Sequence, residues 1–235
     1  MEKILITGNR KSGKSLVTSM IARQLPKDKK MLIIDLNHEN RELEIAMQVE
    51  DFVVFDVLDY LSGMTDFNQS VLEVNDNIDI MPSAYREDKY IAENEDYDKL
   101  NKEISDREYD YILIESNLDK LKNLTEMVDT LIYIDNGSAN YNLSMFDEIK
   151  GDKFYIFNEI EREKISSFER KDIDEKNFKF IGKILYNEKY EREMDKGNSI
   201  INENLKEIFS NFINKREVAE EKSGFFNWLL GIFKK

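Results

Sequence analysis

The segment GNRKSGKS, residues 8–15, holds the residues whose types and spacing are best suited to chemistry. It matches the pattern Gly-x-x-x-x-Gly-Lys-Ser/Thr, and it lies between the apolar run KILIT and the helical sequence LVTSMIARQL. A glycine-rich loop between a strand and a helix leaves backbone N–H groups open to phosphate oxygens at the helix N-terminus. The pattern in this context predicts a nucleotide-binding loop; the alternative is an ordinary strand-to-helix turn.

Each part of this loop has a predicted role. Gly8 and Gly13 permit backbone geometry that side chains would obstruct. Lys14 is predicted to reach the β- and γ-phosphates, and the Ser15 hydroxyl is predicted to bind Mg²⁺. The loop is therefore expected to hold a nucleotide with Mg²⁺ through the contiguous set Gly8, Asn9, Arg10, Lys11, Ser12, Gly13, Lys14 and Ser15.

The elements that must position the loop are visible as alternating apolar and amphipathic stretches. Short apolar runs at 3–7, 31–35, 78–83, 109–116, 130–135, 153–158 and 178–185 read as strands. Most are continuously apolar, which is typical of strands covered on both faces. Helical spacing lies between them, for example in SLVTSMIARQL and VVFDVLDYLSG. This order predicts an α/β fold with a mostly parallel twisted sheet flanked by helices, as in P-loop nucleotide-binding proteins.

Composition narrows the partners and the compartment. The 235 residues include 48 acidic and 34 basic side chains, for a formal net charge of −14. This charge argues against nucleic acid as a partner, because binding to a phosphate backbone requires a basic surface. The chain has no cysteine, which excludes disulfides and thiolate chemistry. With a strand-like run at the start and no apolar stretch of about 18–20 residues, the expected location is the cytoplasm.

The chain is predicted to have three parts: a nucleotide-binding domain (1–214), a charged tether (215–223) and a C-terminal amphipathic helix (224–235). At 100° per residue the last segment, GFFNWLLGIFKK, gathers its large apolar side chains on an arc of about 200°. Aromatic rings beside terminal lysines favour the lipid interface; docking on the protein's own core or in an oligomer is the alternative. The predicted membrane-binding residues are Phe225, Phe226, Trp228, Leu229, Leu230, Ile232 and Phe233.

Beyond the loop, the sequence resembles the MinD proteins of bacterial division-site placement, in the MinD/ParA branch of P-loop ATPases. The likeness lies in LNHENRELEIAMQVEDFVVFDVLDYLSG, NDNIDIMPSAYREDK, YDYILIES, FKFIGKILYNEKYEREMDKGNSI and EEKSGFFNWLLGIFKK, in the family's order. The resemblance implies an ATP-dependent homodimer that attaches peripherally to the inner face of the cell membrane through its tail. It also implies a division or positioning regulator as protein partner.

The same resemblance assigns further site residues, and some of them differ from the family pattern. Asp35 matches the first aspartate of switch I, and Glu115 replaces the aspartate that follows the fourth strand; with Ser15 they are the implied Mg²⁺ residues. Asn37 replaces the second switch aspartate, so the implied catalytic residues are Lys14, Asp35 and Asn37. Asn158 matches an adenine-contacting asparagine.

One more departure lies in the loop. Asn9 stands where the family has its signature lysine, with Arg10 and Lys11 beside it as possible substitutes. An asparagine at position 37 orients water but cannot act as a carboxylate base. These departures surround the γ-phosphate and predict ATP binding with slow or lost hydrolysis.

Four functions remain open at this point. The first is a MinD-like ATPase in division-site selection or a related positioning task, and the second is a non-hydrolysing nucleotide-binding scaffold. The third is a MinD-like regulator of flagellar or secretion-apparatus placement, and the fourth is a metabolic kinase, in which the tail would have no role. A DNA-partitioning role is disfavoured by the net charge and by the tail. The single histidine, His38, is expected to be a solvated loop residue.

Overall fold

The structure is a computed structural model, and it describes residues 1–26, 28–38, 41–138, 143–159, 165–166, 169–195 and 203–218. These residues form one eight-stranded sheet in the order β3-β4-β2-β5-β1-β6-β7-β8. All neighbouring strands are parallel except β3 and β4, which are antiparallel. The strands are β1 (Glu2–Gly8), β2 (Met31–Asp35), β3 (Leu72–Asn75), β4 (Ile78–Met81), β5 (Tyr111–Asn117), β6 (Thr130–Asp135), β7 (Asp152–Asn158) and β8 (Phe178–Ile184).

Helices connect the strands and cover both faces of the sheet. The α-helices are α1 (Lys14–Gln24), α2 (Glu42–Met47), α3 (Val57–Leu61), α4 (Phe67–Ser70), α5 (Asn94–Ser105), α6 (Leu121–Leu124), α7 (Arg170–Glu175), α8 (Lys189–Asp195) and α9 (Glu203–Ile213). Short 3₁₀ turns occupy Glu50–Phe52, Glu87–Lys89, Leu118–Lys120 and Leu143–Phe146. The first of the long helices, α1, begins immediately after the glycine-rich loop.

Two hydrophobic clusters lie on opposite faces of the sheet, because successive side chains of a strand point to opposite sides. Within β1, Leu5 belongs to the cluster that contains α3 and α5 residues. Its neighbours Ile4 and Ile6 belong to the other cluster, with residues of α1 and α9. All three side chains are fully buried. Burial on both faces explains why the central strands are continuously apolar in sequence.

The predicted fold class is confirmed, and each of the seven predicted strands is present. The sequence prediction missed β3, Leu72–Asn75, which pairs antiparallel with β4 at the edge of the sheet. Its residues alternate between half-buried and exposed, so it lacks the continuous apolar run that marks the other strands. Helix α3 is also shorter than the predicted helical stretch at 53–63.

The described C-terminal residues lie against the domain. Lys215 Nζ pairs with Asp152 at 2.5 Å, and the Val218 N–H donates to the Phe180 carbonyl of β8 at 2.7 Å. The predicted tether therefore begins in contact with the edge of the sheet. Residues 219–223 and the predicted membrane-binding helix, 224–235, lie outside the described residues. Among the helices that the structure describes, none has the length and apolar character needed to cross a membrane.

Candidate functional site

The loop between β1 and α1 is packed so closely that its two glycines cannot carry side chains. A Cβ on Gly8 would lie 2.4 Å from the Ile134 carbonyl oxygen of β6. Gly13 has a φ of +90°, and a Cβ there would lie 2.2 Å from Asn158 Nδ2. Only glycine fits such contacts and adopts this left-handed conformation without strain. The two glycines thus set the path of the loop at the carboxyl end of the sheet.

The N-terminus of α1 is open for a ligand. Among the described residues no side chain caps it, and its first turn contains no acidic residue. Its first N–H groups have no intrahelical acceptor and, with the helix dipole, favour an anion. Lys14 is buried at this end, and its Nζ donates to the Asn9 carbonyl at 3.0 Å. Backbone amides and one ammonium group therefore converge on the same edge of the loop.

A buried network lies directly behind the loop. Ser15 Oγ donates to Glu115 Oε1 at 2.7 Å, and Thr18 Oγ1 donates to Glu115 Oε2 at 2.8 Å. Glu115 is paired in register with Asp35 on one neighbouring strand and with Ile6 on the other. The predicted Mg²⁺ residues Ser15, Asp35 and Glu115 are thus brought together at the carboxyl ends of β2 and β5.

Three carboxyl groups are buried around this network. Burial raises the pKa of Asp35 well above its usual value, and the negative charges of Glu44 and Glu115 raise it further. Burial also raises the pKa of Glu115, against the opposing effect of Lys14, and that of Glu44. Glu44, which sequence reasoning missed, accepts from the Ser83 N–H and hydroxyl through Oε1. Buried carboxyls of raised pKa form a region that a cation would stabilise.

The donor set fits Mg²⁺, which prefers hydroxyl and carboxylate oxygens and is usually bound by few protein ligands together with phosphates and water. The described residues contain no group of three histidine, cysteine, aspartate or glutamate side chains placed to hold a metal ion by themselves. Ser15, at the first turn of α1, is placed where a hydroxyl ligand and the phosphates of a nucleotide could share one Mg²⁺ ion.

Two asparagines extend the network towards solvent. The Asn37 N–H donates to Asp35 Oδ1 at 2.7 Å, and its side-chain amide makes a long 3.5 Å contact with Glu115 Oε1. Asn117 Nδ2 donates to Asn37 Oδ1 at 2.9 Å. The predicted catalytic residue Asn37 is thus held by the strand ends on both sides. Its amide is neutral, so it supplies hydrogen bonds without a proton-accepting carboxylate.

His38 differs from its sequence prediction. The expectation of a solvated loop residue was wrong: His38 is only 8% exposed. Its Nδ1 accepts from the Ala84 N–H at 3.2 Å, which places the imidazole proton on Nε2. Burial, together with the positive charges of Lys120 and Lys89, lowers the pKa of His38 to about 3. The segment after β2 folds back onto the Ala84 backbone, a contact that has no signal in the local sequence.

The remaining predicted nucleotide residues lie on different sides of the loop. Arg10 and Lys11 are exposed. Asn158, predicted to contact adenine, is buried, and its Nδ2 donates to the Ser12 carbonyl at 2.8 Å. In this conformation Asn158 fastens the end of β7 to the loop. Its predicted contact with a base stays a prediction.

No family model matches the chain. The chain is similar to septum site-determining protein MinD of Neisseria meningitidis (28% identity over 123 residues) and of Buchnera aphidicola (26% over 121 residues). Each match covers 49% of this chain and 45% of the relative. The matched region thus spans less than half the length of these curated relatives.

Solved structures match over nearly the whole chain. A MinC:MinD cell division protein complex of Aquifex aeolicus aligns with a TM-score of 0.72 and 20% identity, covering 94% of this chain and 99% of that one. A MinD with Mg-ADP from Pyrococcus horikoshii aligns with a TM-score of 0.70 and 16% identity, covering 92% and 97%. A putative plasmid partition protein of Borrelia burgdorferi bound to AMPPNP gives 0.69 and 22%, covering 92% and 100%. These structures share the fold of the chain.

Proposed function

We propose that this chain, a divergent relative of the MinD family in sequence and of the MinD/ParA ATPases in fold, binds ATP with Mg²⁺ at the loop 8–15. We further propose that bound ATP promotes a homodimer, which attaches to the inner face of the cell membrane through residues 224–235. In this state the protein would recruit a regulator in division-site selection or another positioning task. The observation that carries the proposal is the open N-terminus of α1 beside buried Lys14.

Two features support the nucleotide part. The loop offers backbone amides and the Lys14 ammonium to phosphates, while Ser15, Asp35 and Glu115 lie together behind it. Related folds have been solved with Mg-ADP and with AMPPNP, although at identities of 16% and 22%. When bound, Mg²⁺ would supply positive charge to the β- and γ-phosphates. Ser15 is its expected protein ligand, and Asp35 and Glu115 are expected to orient its water ligands.

We propose that hydrolysis is slow or lost. Asn37 stands where the resembled family has an aspartate that positions the attacking water, and its amide orients water without accepting its proton. It is also engaged by Asn117 and held near Glu115. Phosphate release from ATP and Mg²⁺, measured with and without lipid vesicles, tests this part. Robust turnover that Lys14→Ala abolishes would contradict it, and binding without turnover would favour a non-hydrolysing scaffold.

The nucleotide state would control membrane attachment, because a monomer carries one C-terminal segment 224–235 and a dimer carries two. Burial of a large apolar side chain contributes about 1.5–3 kcal/mol at most, and an interfacial helix buries each side chain only partly. The acidic body, with its net charge of −14, is repelled by anionic lipid. One tail is therefore expected to bind marginally, whereas two tails on a dimer bind far better through effective concentration.

Vesicle co-sedimentation tests the membrane part. The full chain is expected to sediment with anionic vesicles in ATP and Mg²⁺ but to stay in the supernatant in ADP. Equal vesicle binding in ATP and in ADP would contradict nucleotide-dependent membrane attachment. Vesicle binding that survives deletion of 224–235 would contradict attachment through this segment. The nucleotide affinity of the shortened chain reports whether the domain is intact.

A further inference from the structure

A cavity of about 320 Å³ lies beside the loop at the carboxyl end of the sheet. One wall consists of Gly8, Asn9 and Arg10, and the other of His38 with residues 117–120. Lys14 Nζ donates to the Asn9 carbonyl, so the ammonium group lies at the end of the loop that faces this cavity. A phosphate chain that begins at the N-terminus of α1 and passes Lys14 would therefore end in this cavity.

The charges around the cavity are unevenly distributed. Asn9 contributes a neutral amide and Asp119 is acidic, while the lining residue Asn117 is linked through Asn37 to the buried carboxyl of Glu115. A terminal phosphate adds further negative charge at this point. The cationic side chains that line the cavity are Arg10 and Lys120. Arg10 is exposed, whereas Lys120 is half-buried, and screening by water and salt weakens an exposed charge much more.

Lys120 comes from the 3₁₀ turn Leu118–Lys120, which directly follows β5. Its Nζ donates to the Leu36 carbonyl at 3.4 Å, a long hydrogen bond that a shorter bond to a phosphate oxygen would readily replace. A lysine ammonium on a flexible four-carbon stem can make this move without a backbone change.

His38 lies on the same wall as Lys120 and contributes a buried donor group. Because Nδ1 of His38 accepts from Ala84, the ring carries its proton on Nε2, and within the described residues this N–H is buried without an acceptor. Buried donors without a partner are rare and call for an explanation such as an absent ligand. A ligand rich in acceptor oxygens suits a wall that carries both groups.

We propose that Lys120 binds the terminal phosphate of ATP within the same subunit, so that it supplies from the β5 side the positive charge that Asn9 does not. This inference rests on the proposed ATP binding. It makes Lys120 a residue that distinguishes a triphosphate from a diphosphate, because ADP has no phosphate in this cavity.

The test compares affinities for a non-hydrolysable ATP analogue and for ADP, each with Mg²⁺, by isothermal titration calorimetry on the full chain. Lys120→Gln is expected to weaken the triphosphate by about tenfold, the order of one charge-assisted hydrogen bond, and to leave ADP within about twofold. Lys120→Arg is expected to retain the triphosphate affinity. Asp119→Asn, which removes an opposing charge from the same wall, is expected to strengthen it.

Lys122→Gln is the matched control, because Lys122 is an exposed lysine two residues further on and its loss changes net charge equally. It is expected to change neither affinity. An equal loss of both nucleotides in Lys120→Gln, or no loss of either, would overturn the inference while leaving ATP binding intact. A wild-type chain that binds neither nucleotide would overturn the proposed function and this inference with it.

The single histidine gives a second readout that does not depend on affinity. Two-bond ¹H–¹⁵N correlation spectra report the environment of both ring nitrogens of His38. The triphosphate analogue is expected to shift them in the wild type, and Lys120→Gln at saturating analogue is expected to alter that shift. Spectra that respond equally to ADP and to the analogue would contradict a terminal phosphate in this cavity.

Discussion

The N-termini of α1 and α3 solve the same physical problem in opposite ways. At α3, Asp56 accepts from the Leu58 and Asp59 N–H groups, and the Asp59 carboxylate accepts from the Asp56 N–H. Lys89 then pairs with both carboxylates, at 2.6 and 2.7 Å. The chain itself thus satisfies the helix end and pairs both of its acids with one lysine.

At α1 the corresponding groups are left for something else to satisfy. Gly13 offers no side-chain cap among the described residues, and the nearby acids Asp35 and Glu115 are buried with raised pKa values. The positive charge of Lys14 opposes both pKa increases. A completed polar cluster is structural, whereas an incomplete one at an anion-binding helix end indicates a ligand.

The largest expected effect comes from Lys14→Ala. Loss of the buried ammonium that we propose to face the phosphates is expected to weaken Mg–ATP binding by about a hundredfold or more, because charge-assisted hydrogen bonds are the strongest of their class. Calorimetric titration with ATP measures it. Lys89→Ala, which removes a lysine from the α3 cluster, is the matched control and is expected to leave the affinity unchanged. Comparable losses in both variants would erase the distinction between the two helix ends.

The next effect concerns the free energy of unfolding, on which Lys89→Ala is expected to have a larger effect than Lys14→Ala. Lys89→Ala leaves two nearly buried carboxylates without their cation, so the free energy of unfolding is expected to fall by about 2–3 kcal/mol. Urea unfolding without nucleotide measures this loss. Lys14→Ala serves as the comparison and is expected to cost less. A Lys89→Ala chain as stable as the wild type would show that the α3 cluster is not a stabilising unit.

Changing one carboxylate to an amide at each site is expected to change the free energy of unfolding in opposite directions. Glu115→Gln removes a buried charge whose pKa is raised, and is expected to stabilise the ligand-free chain by up to about 1 kcal/mol. It is also expected to weaken Mg²⁺-dependent nucleotide binding. Asp56→Asn keeps a capping side chain but loses the ion pair with Lys89, and is expected to destabilise by about 1 kcal/mol. Destabilisation by both changes in urea would contradict the contrast.

The smallest effect is a pH dependence confined to the α1 site. A carboxyl group whose folded pKa is raised favours the folded state at low pH, and this contribution is lost as the pH rises through the raised value. Mg²⁺ with nucleotide favours the ionised forms of Asp35 and Glu115, so its binding should strengthen by a few-fold as pH rises through their raised pKa values. Titrations in buffers of different ionisation heat are expected to detect proton release. Binding that is independent of pH and releases no proton would contradict this assignment.

Local sequence determined the loop, the central strands and the fold class. The motif fixes two glycines and a lysine at set spacing, and strands buried on both faces must be continuously apolar, so both leave strong signals. The resemblance to MinD proteins predicts Asp35 and Glu115 as Mg²⁺ residues from sequence alone. The edge strand β3 left no such signal, because it is half exposed and only four residues long.

Tertiary structure decided which groups meet across long sequence separations. It buried His38 against Ala84, placed Glu44 at Ser83 and brought Lys120 to the cavity beside Asn9. None of these residues stands in a pattern that differs from an ordinary polar loop or helix face. Burial and charge balance depend on what the sheet order places opposite a side chain, and a single sequence records the residues but not their neighbours.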